Sequence, residues 1–269
     1  MNNKNILAGI ALIAGVAVSS MAFAATNGEK PVHPKQGWPH EKIIGAHYDR
    51  QSAQRGFQVY KESCHSCHSL NFVSFRQLEG IGFSEPEIKA IAASFTVMGE
   101  PDMETGDVKE RPGQPFDYMP ATYANPAAAA AANNGAIPPD LSLMVKARPG
   151  GASYVYSILT GYREPTAEEL KHVPGGKIPD GGHFNPYKPG HVIAMPPPLM
   201  DGVVTYTEGQ PAASVEQMAY DVSTFLAWAA EPKLEQRKSM GFLVVVFLLI
   251  LTGLLFWSYK RISKQVLGH

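Results

Sequence analysis

Both cysteines of this 269-residue chain fall in one short run, Cys64-His65-Ser66-Cys67-His68, and no other cysteine exists to pair with them. Any fold must serve what that run does. A Cys-x-x-Cys-His pattern is the covalent haem-attachment signature: the thiols add to the two vinyl groups and the following histidine ligates the iron. One helical turn turns both sulfurs to the same porphyrin edge and leaves His68 beneath the ring. Two rival chemistries use the same cysteines. A redox dithiol needs no histidine after the second cysteine and usually follows a β-α-β pattern. A zinc site needs a second ligand pair at metal spacing, which the chain does not offer. With no spare cysteine, the pair does not belong to a larger disulfide framework. His65 cannot easily reach the iron from either face and reads as an exposed polar residue.

The sixth iron position is where the residues leave alternatives open, because methionine, histidine or an open position imply different functions. Met195 is the first choice. It precedes Pro196, Pro197 and Pro198, a stiff segment able to hold a thioether without a supporting helix. Met200 comes next. Met119 and Met144 read as core or surface residues, and Met218 falls on the apolar stripe of a helix. His172, His183 and His191 stand as bis-histidine candidates in loops.

Two apolar segments bracket the chain. Lys4, the apolar run 6–18 and the small-x-small site Ala22-Phe23-Ala24 make residues 1–24 a cleavable secretory signal. The run 241–258 carries no charge, is long enough to cross a bilayer and is apolar on every face. Trp257 and Tyr259 suit an interfacial belt, and Lys260, Arg261 and Lys264 follow as a cytoplasmic flank. Arg237 and Lys238 weaken the charge asymmetry, but an exported leader orients the chain independently. The division expected is 1–24 signal, 25–235 extracytoplasmic domain and 236–269 membrane anchor with a short cytoplasmic tail. A formal net charge of -1 and pI near 6.8 supply no basic surface for nucleic acid.

Between those ends the chain reads as mainly α with long loops and no strong β pattern. Residues 27–45 form an extended arm. A helix runs over 52–61, where Gly56 either admits a second helix closely or is a weak spot. A second helix spans 86–97. Asn125-Pro126 starts an alanine-rich helix that stops at Asn133-Asn134-Gly135. Asp140 is placed to cap 141–147, and 154–159 is helical before Gly161. Residues 163–211 are loop-rich. The last soluble helix opens on a Ser214/Gln217 capping box, turns Val215, Met218, Val222, Phe225, Leu226 and Ala229 to one face, and ends before Pro232.

Taken together, these segments resemble the cytochrome c1 family, the haem subunits of ubiquinol–cytochrome c oxidoreductase (bc1) complexes, in its bacterial type. The resemblance rests on Arg55-Gly56-Phe57-Gln58-Val59-Tyr60, Asn133-Asn134-Gly135-Ala136, Pro138-Pro139-Asp140-Leu141-Ser142, Ala147-Arg148, Leu159-Thr160-Gly161-Tyr162, Phe184-Asn185-Pro186-Tyr187, Met195-Pro196-Pro197-Pro198 and Trp228-Ala229-Ala230-Glu231-Pro232. They follow family order across nearly the whole chain after the leader. The resemblance implies a class I c-type cytochrome fold with long loop insertions plus one C-terminal transmembrane helix. It implies one covalent haem c on Cys64 and Cys67, with His68 and Met195 as axial ligands. Arg148 and Tyr154 match positions contacting the haem propionates, and Asn133 and Pro139 match others lining the pocket.

The same resemblance implies single-electron transfer, from a Rieske iron-sulfur protein to a soluble cytochrome c, with no bond chemistry by this chain alone. The partners implied are cytochrome b, the Rieske subunit and that soluble acceptor, in a dimeric respiratory or photosynthetic complex. The chain would cross the bacterial inner membrane once, its haem domain in the periplasm. Two departures stand out: Pro149 replaces a histidine frequent in mitochondrial members, and the disulfide some bacterial relatives carry near the axial methionine is impossible here. Two other readings of the haem motif and anchor are a membrane-tethered haem-binding or sensor module and another anchored carrier feeding an oxidase. Glu100, Asp102, Glu104, Asp107 and Glu110 make an acidic stretch, either a solvated loop or a surface that steers a basic partner.

Overall fold

The computed structural model describes residues 36–267; the expected signal segment lies outside that range. The head is mainly helical, as expected. Helix α1, Arg50–Val59, starts where the Asp49 side chain accepts from the Ser52 backbone N–H. It continues as a wider π turn, Tyr60–Cys64, that carries the chain into the cysteine motif. Helix α2, Glu85–Ala93, has a reciprocal Ser84/Glu87 capping box. It stops short of the expected end because Thr96–Pro101 is strand β1, paired antiparallel with β2, Val108–Pro112. This hairpin was not anticipated. Its alternation is short and its register shifts between Met98 and Pro101, so little of the period-2 signal survives in the sequence.

Helix α3, Pro126–Ala132, is capped by Asn125, and α4 is a single turn, Met144–Ala147. Asp140 does not cap it. Its two carboxylate oxygens instead accept from the backbone of Asn71 and Ser142, both at 2.8 Å. Helix α5, Gly151–Thr160, is followed by a loop region holding one turn of helix, α6, Ala167–Leu170, and a two-residue ladder between β3, His183–Phe184, and β4, Val192–Ile193.

Helix α7, Val215–Ala230, is the spine of the head and packs against both α1 and α5. Only half of its expected capping box forms: Ser214 Oγ accepts from the Gln217 N–H. The expected apolar face is inside, except that Val215 is only half-buried, and Ala219, Ser223, Ala227 and Trp228 are inside as well, because neighbours pack on several sides. The crossing with α1 decides the role of Gly56. A Cβ there would lie 2.0 Å from the Asp221 carbonyl oxygen, so glycine admits the second helix. Phe57, Tyr60 and Trp228 then gather around Phe225 at ring separations of 5.6–5.8 Å. At the same crossing, buried Asp221 accepts from Ser52 Oγ (2.6 Å), Tyr206 OH (3.0 Å) and Arg55 Nε (2.8 Å).

After Pro232 the chain turns straight into α8, Leu234–Leu267. Glu235, Arg237 and Lys238, which precede the uncharged run, therefore lie on the same helix. Within Leu234–Gln265 the mean hydropathy reaches 2.7 with none of the apolar window buried, so length and lipophilicity together make this the transmembrane helix.

Candidate haem site

The π turn between α1 and the motif delivers Cys64 to the interior and leaves Cys67 half-buried, both as free thiols. The Cys67 and His68 N–H groups both donate to the Cys64 carbonyl, at 3.1 and 2.9 Å, which closes the turn and holds the thiols and the imidazole on one short arc. Burial, then the nearby Cys67, pushes the Cys64 thiol up to about 12, so it stays protonated.

His68 Nδ1 lies 2.8 Å from the Pro139 carbonyl oxygen. A carbonyl can only accept, so Nδ1 carries the hydrogen and Nε2 keeps its lone pair for a metal. Burial holds the ring below the usual histidine range, which favours the neutral ligand form. Pro139, matched to the family only as a pocket residue, therefore orients the imidazole. Its segment is docked by the Asp140 bonds already described, by Ser142 Oγ accepting from the Phe72 N–H (3.1 Å), and by the Leu141 N–H donating to Ser69 (2.9 Å).

Met195 is half-buried. Its carbonyl accepts from Tyr162 OH at 3.1 Å. Three residues on, the Pro198 carbonyl accepts from Ser63 Oγ at 2.8 Å, so the proline segment is tied to the residue preceding Cys64. Leu199 is buried in the core while Met200 is 62% exposed. Among the histidine candidates, His191 stacks on Phe184 at 6.0 Å and faces His172 at 6.5 Å; His183 meets Tyr162. Of the family-matched pocket residues, Asn133 donates to Tyr123 OH (3.1 Å) and the Ala129 carbonyl (2.7 Å). Tyr154 is half-buried against the core. Arg148 is exposed and, among the described residues, reaches only the adjacent Ala147 carbonyl, at 3.4 Å.

His65 is not the exposed polar residue its place in the motif suggests: it is half-buried, edge-on to Phe95, with Nδ1 at 3.1 Å from the Tyr60 hydroxyl. That hydroxyl donates to the His68 carbonyl, and Thr122 Oγ1 donates to the His65 carbonyl at 2.8 Å. Tyr60, Ser63 and Thr122 brace the motif and Tyr162 braces Met195, yet Ser63, Thr122 and Tyr162 do not announce this in the sequence, because each acts through a hydroxyl bonded to a distant backbone oxygen. Two further segments of the resemblance meet directly: a Cβ on Gly161 would lie 2.5 Å from Tyr187, and Asn185 Nδ2 donates to the Ile158 carbonyl at 2.8 Å.

Two free thiols, an imidazole presenting Nε2 and a tethered methionine form a donor set that suits a covalently attached, six-coordinate haem. The Cytochrome C1 family profile matches residues 38–266. The chain belongs to the cytochrome c1 family. Cytochrome c1 of Rhodospirillum rubrum is 45% identical over 266 residues, spanning 95% of this chain and 97% of that protein. Mitochondrial cytochrome c1-2 of Solanum tuberosum is 46% identical over 261 residues, spanning 97% and 95%. The cytochrome b/c1 protein of Bradyrhizobium diazoefficiens is 42% identical over 270 residues, spanning 94% of this chain and 39% of that protein. As a cytochrome c1 the chain is a membrane-anchored c-type cytochrome of the bc1 complex, with haem as its prosthetic group. The sensor and oxidase-donor readings are not favoured.

Proposed function

We propose that this cytochrome c1 holds one haem c through thioethers from Cys64 and Cys67, with His68 and Met195 on the iron, and relays electrons from a Rieske protein to a soluble cytochrome c. The observation that carries the reading is the double tether on the two ligand segments: Pro139 on His68 Nδ1, and Tyr162 with Ser63 on the Met195 segment. One-electron exchange at raised potential is the chemistry a His/Met haem supplies when bound. The residues of the chain do the rest. Pro139 fixes the tautomer, the proline run limits the excursion of the methionine, and Tyr60 and Thr122 hold the motif backbone. Asn133, Tyr154 and Arg148 complete the proposed pocket; Arg148, with no carboxylate partner in the described head, is the cation for a propionate.

The proposed topology cleaves residues 1–24, places 25–235 in the periplasm and leaves the end of 236–269 in the cytoplasm of a bacterium, within a dimeric complex. The leader-like run before residue 25 and the apolar helix α8, the one such helix among the described residues, support it. Two measurements test the function. Haem must stay with the chain on a denaturing gel and be lost in Cys64→Ser/Cys67→Ser. The tagged chain must also co-purify with cytochrome b and a Rieske protein. Isolation with an oxidase in their place would overturn the reading.

A further inference from the structure

Ile43 and Ile44 are 90% and 73% exposed, in a segment lashed to the start of the membrane helix. Lys238 Nζ donates to the carbonyl oxygens of His40 (2.9 Å) and Lys42 (2.6 Å). The Tyr48 N–H donates to Glu235 at 2.8 Å, and its hydroxyl to the Ala227 carbonyl at 3.1 Å. The His40 ring, buried between Trp38 and Tyr48, pins the segment from the other side. Residues 40–48 therefore ride at the height of residues 227–238 of the last two helices.

Lys238 precedes the uncharged run at Gly241 by three residues, roughly 4–5 Å along a helix. The headgroup layer is itself roughly 5–7 Å deep on each face of a bilayer. The isoleucine pair thus sits at the level of the headgroups. Exposed Lys42 adjoins it, beside exposed Glu41, while Gly45, at φ +68°, turns the chain away immediately afterwards. A short apolar projection held by Lys238 at the start of a membrane span is the pattern of an interfacial contact.

We propose that Ile43 and Ile44 insert into the headgroup–acyl boundary of the bilayer and give the head a further hold on the membrane beside helix α8. A single span fixes height but leaves the head free to tilt about it. A second contact removes that freedom, so the redox site keeps one attitude to the membrane plane. The occupant is lipid because Lys238 ties the pair's segment to the start of the span, so that the apolar pair and the apolar helix share one level.

The test is power-saturation electron paramagnetic resonance on the full-length holoprotein in phosphatidylethanolamine/phosphatidylglycerol nanodiscs, spin-labelled at Ile43→Cys, with Met103→Cys as the reference. Met103 is 98% exposed in the turn between β1 and β2, and neither position carries core packing. The expected result is an oxygen-to-nickel-chelate accessibility ratio several-fold higher at position 43 than at 103. Equal ratios would place the pair in water, and shielding from both reagents would place it under protein. Either overturns the proposal.

Discussion

His40 is the most displaced imidazole of the head. It is 5% exposed, its Nδ1 finds no hydrogen-bond partner among the described residues, and burial followed by the Lys238 charge lowers its pKa to about 4. An unfolded histidine titrates near 6.5. Between about 4 and 6.5 the unfolded chain binds more protons, so the stability this residue permits is full above 6.5 and falls as pH drops through that window, by up to about 3 kcal/mol. His40→Gln should flatten the melting temperature between pH 6.5 and 4 relative to wild type; parallel slopes would sink the assignment. At the proposed iron ligand, Met195→Leu should keep covalent haem but lower the reduction potential by roughly 0.1–0.3 V, part of the ~0.8 V that axial ligation spans. An unchanged potential in a redox titration removes Met195 from that role. Tyr162→Phe tests the tether alone. It deletes the bond to the Met195 carbonyl, worth about 1 kcal/mol, and should let carbon monoxide bind the reduced protein measurably faster than wild type, though more slowly than in Met195→Leu.

The crossing of α1 and α7 is where the element scale is decided. A Cβ on Gly56 would have to displace the Asp221 backbone, so Gly56→Ala should cost about 3 kcal/mol through overpacking. Chemical denaturation reads it, and a cost under half that would mean the helices slide apart freely. Asp221→Ala would leave Arg55, whose side chain is 12% exposed, without its ion-pair partner, for a loss of about 3–5 kcal/mol. These partners also show why the sequence is legible unevenly. Helices α3 and α7 announce themselves through Asn125 and Ser214, whose caps act within three residues of themselves. Gly56 is ambiguous until Asp221, 165 positions along, is placed against it. Asp140 looks like a cap by position, but Asn71 and Ser142 compete for it successfully. The β1–β2 hairpin escapes notice because the bulge between Met98 and Pro101 interrupts its alternation. Cys64, Cys67 and His68 are readable because attachment demands a fixed local spacing. Ser63 and Tyr162 are not, since a hydroxyl reaching a carbonyl across the fold leaves no periodicity behind.

At the scale of the whole molecule, a formal net charge of -1 cannot steer a charged partner from a distance, so any steering must come from a local field. The hairpin supplies one. Residues 100–110 are exposed throughout and carry Glu100, Asp102, Glu104, Asp107 and Glu110 against Lys109 alone. The adjoining Arg111 does not offset them, because it is held bidentate by Asp117 at 2.6 and 2.8 Å. Asp102 is further secured as a carboxylate: the backbone N–H groups of Glu104 and Thr105 hold its pKa below the usual range. A two-stranded projection keeps these charges at a fixed spacing, which a loose loop would not. If the proposed soluble acceptor is basic, its association rate with this cytochrome c1 should fall steeply with ionic strength. Converting the five carboxylates to amides should lower that rate about tenfold at low salt. The two proteins should converge near 1 M salt, where the screening length is roughly 3 Å. Stopped-flow electron transfer at several ionic strengths measures both slopes, and identical slopes would return the hairpin to the status of a solvated surface.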